Sequence, residues 1–176
     1  MSDFVISMDP DDVILGGASA SNLEHADDIL LMSYSARGLQ TKLNVVLLWC
    51  SMNFMRINAV KSFIAIFGTL PSTLPIFTLG DNMVEVVEKI TYVGITFQTT
   101  HPNIFASHYC TKASKARVIG HVIMGVESMI GNLPPFEAHK LYMARMDPHL
   151  TGGCKVVLNI DHQADQLLHV QHSFIR

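Results

Sequence analysis

The hydrophobic period of this sequence changes near residue 103, and that change restricts the folds open to the chain. Before it, short apolar runs alternate with turn residues such as Gly16-Gly17 and Gly80-Asp81-Asn82. After it, apolar side chains such as Ile119, Ile123 and Ile130 recur at helical spacing. We therefore predict an α+β fold: residues 1–100 form a β-hairpin, a helix and antiparallel strands, and residues 101–176 are α-helical.

An acidic dipeptide lies between two apolar runs in the first part. The pattern predicts a hairpin over Leu23–Met32 with Asp27-Asp28 at its turn. Ser35 is a suitable N-cap, and the apolar residues after it follow a helical period, which predicts a helix over 36–53.

The other predicted elements follow from the same signals. We expect strands at Arg56–Asn58, Ser62–Phe67, Ile76–Leu79, Met83–Val86 and Ile90–Phe97. We expect helices from about 103 to Gly131, from Pro134-Pro135 to Met146, where Pro148 stops the helix, and over roughly 163–175.

Composition excludes several classes of protein. Of the 176 residues, 49% are hydrophobic and only 15% are charged, so the chain is not a disordered one. Its longest apolar runs, such as Val45–Cys50, are far shorter than the roughly 18 residues of a membrane span. The acidic N-terminus is unlike a secretory signal, and the three cysteines are widely spaced, so we expect an intracellular protein. The low proportion of charged residues suggests that the chain is a fragment or a subunit, part of whose surface is covered by something absent from it.

Asp27 and Asp28 are the candidate metal ligands. Two adjacent carboxylates at a tight turn suit Mg²⁺, which prefers oxygen ligands and leaves positions open for phosphates. The alternative at this point is a solvated acidic turn, which is the commoner role of an Asp-Asp pair.

The acidic pair belongs to a longer pattern. It comprises His25-Ala26-Asp27-Asp28, Gly38-Leu39-Gln40 with Leu43, Ile57-Asn58 with Lys61-Ser62, Phe67-Gly68 and Tyr92-Val93-Gly94. This pattern, over about residues 12–155, resembles the reverse transcriptases of non-long-terminal-repeat (LINE-type) retrotransposons. Glu24–Asp28 and Ser114–Arg117 are similar to fungal copies.

The resemblance implies a polymerase palm followed by a thumb and the start of the connection. Asp27 and Asp28 match the catalytic carboxylates that hold two Mg²⁺ ions, Lys61 matches a lysine near the triphosphate, and Gly94 matches the primer-grip region. The implied reaction is RNA-directed DNA synthesis, and the implied partner is a primer–template duplex. A solvated lysine and a glycine at a bulge are the ordinary alternatives for Lys61 and Gly94.

The first long helix of the second part carries a candidate nucleic-acid surface. At 100° per residue, His108, Lys112 and Lys115 fall within an arc of about 60°. Such a stripe contacts phosphates without reading bases, which predicts weak, non-specific duplex binding. A solvated helix face is the alternative.

Two departures from the family pattern lower the expected activity. Position 25 is His where the family has Tyr or Phe, and no segment matches the fingers or the upstream palm with its further aspartate. Asp9, Asp11 and Asp12 do not have the spacing of that segment, so we interpret them as loop carboxylates. We expect a fragment that is inactive alone and that needs a missing fingers and palm portion. The alternatives are a non-catalytic folded remnant and an unrelated metal phosphohydrolase.

Overall fold

The computed structural model describes residues 10–131, 133–153, 155–157 and 164–175. The chain divides into two compact units at the Val93–Gly94 peptide bond. The predicted α+β character is confirmed, with small, mostly antiparallel sheets and several helices. Asp9 and residue 163 lie outside the described residues.

Two short hairpins begin the first unit. Strand β1 (Val13–Leu15) pairs with β2 (Ala18–Ala20), and β3 (Asn22–His25) pairs antiparallel with β4 (Asp28–Leu31). The β1–β2 turn is Gly16-Gly17, where both residues have positive φ, so glycine is the residue that fits.

Helix α1 (Ala36–Met52) follows the second hairpin. Ser35 caps it, because the Ser35 hydroxyl accepts a hydrogen bond of 3.0 Å from the Gly38 N–H. Its buried positions recur every four residues, and they are Gly38, Lys42, Val46 and Cys50. The predicted helix 36–53 is therefore confirmed to within one residue.

A three-stranded sheet packs with α1 to form the core of the first unit. Strands β5 (Phe63–Ile64), β6 (Phe77–Leu79) and β7 (Asn82–Val86) have the order β5-β7-β6, in which β5 and β7 are parallel. The buried side chains of this core are Ile64, Phe77, Leu79 and Val84, with Leu39, Leu43 and Leu47 of α1 against them. Burying each large apolar side chain stabilises the fold by about 1.5–3 kcal/mol.

One strand prediction for this unit is wrong, and another gives a strand that is too long. Arg56–Asn58 is not a strand: it leads into a 3₁₀ turn, Ala59–Lys61, in which the Lys61 N–H donates to the Asn58 side-chain oxygen. Only Phe63–Ile64 of the predicted strand 62–67 pairs with a neighbour.

The strand predicted over Ile90–Phe97 is a hairpin. Strand β8 (Lys89–Tyr92) pairs with β9 (Ile95–Gln98) through a turn at Val93-Gly94. Val93 has a φ of 47° and Gly94 a φ of 76°, and positive φ at both central residues is what a type I′ hairpin turn requires.

The second unit is mainly helical. Its helices are α2 (Ala106–Ile130), α3 (Pro135–Leu141), α4 (Asp147–Thr151) and α5 (Asp165–Ile175). Tyr109, Ala113 and Ala116 of α2 form its core with Met146, Leu150 and Val170.

Within the described residues, no helix is both long and apolar enough to span a membrane.

The predicted stop before Pro148 is wrong, because a π-helical segment (Tyr142–Met146) joins α3 to α4. The Asp147 N–H donates to the Tyr142 carbonyl, five residues back. Proline has no N–H, and its ring crowds the carbonyl four residues earlier. A widened turn just before Pro148 accommodates both effects, so the helical path continues to Thr151.

Candidate functional site

The acidic pair lies at the turn of the β3–β4 hairpin, as predicted. Ala26 and Asp27 are the two turn residues, and Asp28 begins β4 opposite His25. Ala26 has a φ of 54°, in the left-handed region, which closes the turn tightly. Both carboxylates are exposed to solvent.

The donor set fits a hydrated divalent cation rather than an enclosed metal site. The two exposed carboxylates would supply oxygen ligands of the kind that Mg²⁺ prefers, and water would supply the others. Within the part of the chain that the structure describes, no group of three or more His, Cys, Asp or Glu side chains is arranged to hold a metal ion. Any ion at Asp27 and Asp28 is therefore held by few protein ligands.

Lys61 closes the 3₁₀ turn after α1, and its side chain is exposed. Its N–H donates to the Asn58 carbonyl over 3.1 Å, so the backbone there is fixed by the preceding residues. The 3₁₀ turn contacts β7. The role of Lys61 beside a triphosphate stays a prediction.

His108 does not belong to an exposed basic stripe. It is only 2% exposed, which corrects its predicted place on the nucleic-acid surface. The Thr96 N–H donates to its Nδ1 over 3.3 Å, and its Nε2 lies 3.2 Å from the Gly152 carbonyl oxygen. Because a backbone N–H can only donate, Nδ1 is unprotonated and Nε2–H donates to Gly152.

The surroundings of His108 favour its neutral form. Burial lowers the pKa of this imidazole, and the nearby Lys112 charge lowers it further, while the Gly152 hydrogen bond opposes both. The neutral, buried imidazole therefore has a structural role in the second unit, and it provides no positive charge that could contact a phosphate.

Lys112 and Lys115 are the two remaining members of the stripe. Lys112 is half-buried, and a β-carbon added at Gly152 would lie 2.9 Å from its Nζ, so its ammonium sits beside the C-terminal end of α4. Lys115 is exposed. The predicted stripe can therefore present two cations to a phosphate backbone, not three.

Gly94 is exposed in the β8–β9 turn, and a β-carbon added there would meet no atom of the described residues within 4 Å. Its positive φ explains the glycine, whereas close approach of another backbone segment does not. The match to the primer-grip region stays a prediction.

The sequence interpretation missed a buried ion pair at the base of the acidic hairpin. Lys42 Nζ lies 2.5 Å from Asp12 Oδ1, and the two side chains are 1% and 4% exposed. Asp12 lies in the loop before β1, as predicted, but its carboxylate is buried and paired. The available signal was the position of Lys42 on the apolar face of α1, between Leu39 and Val46 at helical spacing.

No protein-family model, curated protein or solved structure matches this chain.

Proposed function

We propose that the chain is the C-terminal palm portion and the thumb of an RNA-directed DNA polymerase of the non-long-terminal-repeat retrotransposon type. In this proposal the first unit carries the metal-binding carboxylates. The helical second unit contacts the primer–template duplex. The chain acts with a separate portion that supplies the fingers and the upstream palm.

The observation that carries the proposal is the position of Asp27 and Asp28. Two adjacent carboxylates are exposed at the turn of a tight antiparallel hairpin, and a capped helix follows within a few residues. The hairpin holds both acids at one end of its ladder, away from the apolar core of the first unit. Nucleotidyl transfer needs carboxylates in such an accessible place, because two metal ions must reach both them and the phosphates.

The residues of this chain would have separate roles. Asp27 and Asp28 would hold Mg²⁺, which lowers the pKa of an attacking hydroxyl and neutralises phosphate charge. Lys61 would add a cation near the triphosphate. Lys112 and Lys115 would contact phosphates of the duplex without reading sequence.

A non-catalytic folded remnant is the second candidate. The observation in its favour is the small ligand set, since the described residues add no third His, Cys, Asp or Glu to the acidic pair. Weakly held ions are poorly positioned, and an error of about 1 Å in a reacting group can cost a hundredfold in rate. We therefore expect no primer extension by the chain alone.

The test is complementation of primer extension. The chain is mixed with a separately expressed fingers and upstream-palm portion of a polymerase of this family, an RNA template, a DNA primer, deoxynucleotides and Mg²⁺. The Asp27→Asn/Asp28→Asn variant removes the carboxylates. The control is Asp81→Asn, which alters an exposed carboxylate at the β6–β7 turn.

Extension by the mixture that survives Asp81→Asn but disappears in the double variant supports the polymerase proposal. If the mixture extends nothing, or if extension persists without Asp27 and Asp28, the catalytic proposal fails. Failure to extend together with retained folding favours the remnant.

A further inference from the structure

The ammonium of Lys42 joins three separate segments of the first unit. Lys42 Nζ donates to Asp12 Oδ1 over 2.5 Å and to the Met32 carbonyl oxygen over 2.5 Å. Asp12 Oδ2 in turn accepts from the Ser19 hydroxyl over 3.2 Å. One buried cation thus connects helix α1, the end of the acidic hairpin and the β1–β2 hairpin.

Stability alone does not explain why a charged side chain is buried at position 42. Removing two charges from water is costly, and well-packed apolar residues in place of a buried ion pair are often as stable or more so. Lys42 is 1% exposed on a face where Val46 and Cys50 are also buried. What the ammonium supplies, and an apolar side chain cannot, is a directed hydrogen bond to one carbonyl oxygen.

That carbonyl belongs to the base of the hairpin that carries the acidic pair. Met32 follows the last residue of β4, and the Met32 N–H donates to the Ser21 carbonyl over 2.8 Å, one pair beyond the Asn22–Leu31 end of the ladder. Asp28 lies four residues away, or about 13 Å along the strand. A tilt of about 5° at Met32 would therefore move the turn by about 1 Å, which is a catalytically significant distance.

The link between hairpin and helix is held on the same upstream segment. The Tyr34 N–H donates to the Asp11 carbonyl over 2.9 Å, and the Ser35 hydroxyl donates to Asp11 Oδ2. Asp11 and Asp12 thus fix both the end of β4 and the start of α1. The two Asp11 contacts do not involve Lys42, and they restrain the same connection between β4 and α1.

We propose that Lys42 is a positioning residue: paired with Asp12, it holds the Met32 carbonyl and so sets the orientation of the Asp27–Asp28 hairpin on α1. The metal-binding consequence rests on the proposed function, whereas the fixed hairpin base does not.

The experiment compares the full-length wild-type chain with Lys42→Met and with Lys42→Met/Asp12→Leu. The double variant replaces the ion pair by apolar side chains, so it separates loss of the hydrogen bond to Met32 from the cost of a buried carboxylate that has lost its ammonium. Hydrogen exchange is measured for the amides of β3–β4 and, as an internal control, of β6–β7. Mn²⁺ binding is followed by paramagnetic broadening of the amides of residues 26–29, with residues 80–82 as the control turn.

We expect the double variant to recover the urea midpoint of the wild type. We also expect its β3–β4 amides to exchange at least tenfold faster while those of β6–β7 do not, and its affinity for Mn²⁺ to fall about tenfold. Equal exchange in both hairpins, or wild-type exchange throughout the double variant, overturns the positioning role. Selective loosening of β3–β4 without Mn²⁺ binding in the wild type retains the positioning role and counts against the proposed function instead.

Discussion

Lys42 in the first unit and His108 in the second are both almost completely buried, at 1% and 2% exposure, but their partners differ. Lys42 is paired with the Asp12 carboxylate, so its charge is balanced. His108 is held by a backbone N–H and a backbone carbonyl, which fit only a neutral ring. The stability of the first unit therefore depends on keeping its buried ammonium paired with a carboxylate, whereas the second unit depends on keeping the His108 ring uncharged. The first unit should therefore be sensitive to loss of the Lys42 counter-ion, and the second to a fall in pH.

The largest expected effect is the decrease in stability when Lys42 loses its counter-ion. Asp12→Ala leaves a buried ammonium without its carboxylate, and we expect a loss of about 3–5 kcal/mol in the free energy of unfolding. Urea denaturation measures it, with Asp27→Ala as the matched control, since Asp27 is exposed at a turn. Equal urea midpoints for Asp12→Ala and Asp27→Ala would contradict the dependence of the first unit on the Lys42–Asp12 ion pair.

The second prediction concerns Gly38, beside the same upstream segment. A β-carbon added there would lie 2.6 Å from both Asp11 Oδ2 and Ser33 Oγ. We expect Gly38→Ala to cost about 1–3 kcal/mol through overpacking. Among the residues that the structure describes, none would lie within 4 Å of a β-carbon added at Gly125 in helix α2, so Gly125→Ala should instead stabilise by about 0.5–1 kcal/mol. Thermal denaturation of the two variants should shift in opposite directions, and shifts in the same direction would refute the close packing at Gly38.

The third prediction is a pH effect confined to His108. Burial lowers the folded-state pKa of His108 below that of the unfolded chain, so its contribution to stability is complete above about pH 6.5. That contribution is lost as the pH falls through the lower folded-state pKa, because the unfolded chain then binds the proton more readily. Urea midpoints between pH 7.5 and pH 5 measure the loss.

Two variants isolate the contribution of His108 to that profile. His108→Gln should flatten it, whereas His121→Gln, at an exposed position of the same helix, should leave it unchanged. A profile that keeps its full slope in His108→Gln would show that another group is responsible.

Local signals account for what the sequence predicted correctly. The Asp27 turn, the Ser35 cap and helix α1 each depend on residues close together in the chain, so spacing and turn chemistry suffice to predict them. Lys42 and Asp12 are 30 residues apart, and His108 and Gly152 are 44 apart. Such pairs form only when separate segments pack. Helical spacing placed His108 with two lysines, but it could not reveal that β9 and the end of α4 cover the ring.

The smallest expected effect is duplex binding by the second unit. With His108 neutral and buried, Lys112 and Lys115 are the remaining cations of the predicted stripe. Two phosphate contacts release few counterions, so the log–log dependence of the binding constant on salt should have a slope of about −2. Fluorescence anisotropy with an RNA–DNA duplex between 20 and about 200 mM salt covers the range where such weak binding is lost.

Lys115→Ala should reduce the slope by about 1, because it removes one contact. Lys140→Ala is the matched control, since Lys140 is exposed on α3 but pairs with Glu137. Binding that is insensitive to salt, or equal loss in both variants, would remove α2 as the contact surface and leave the second unit with a purely structural role.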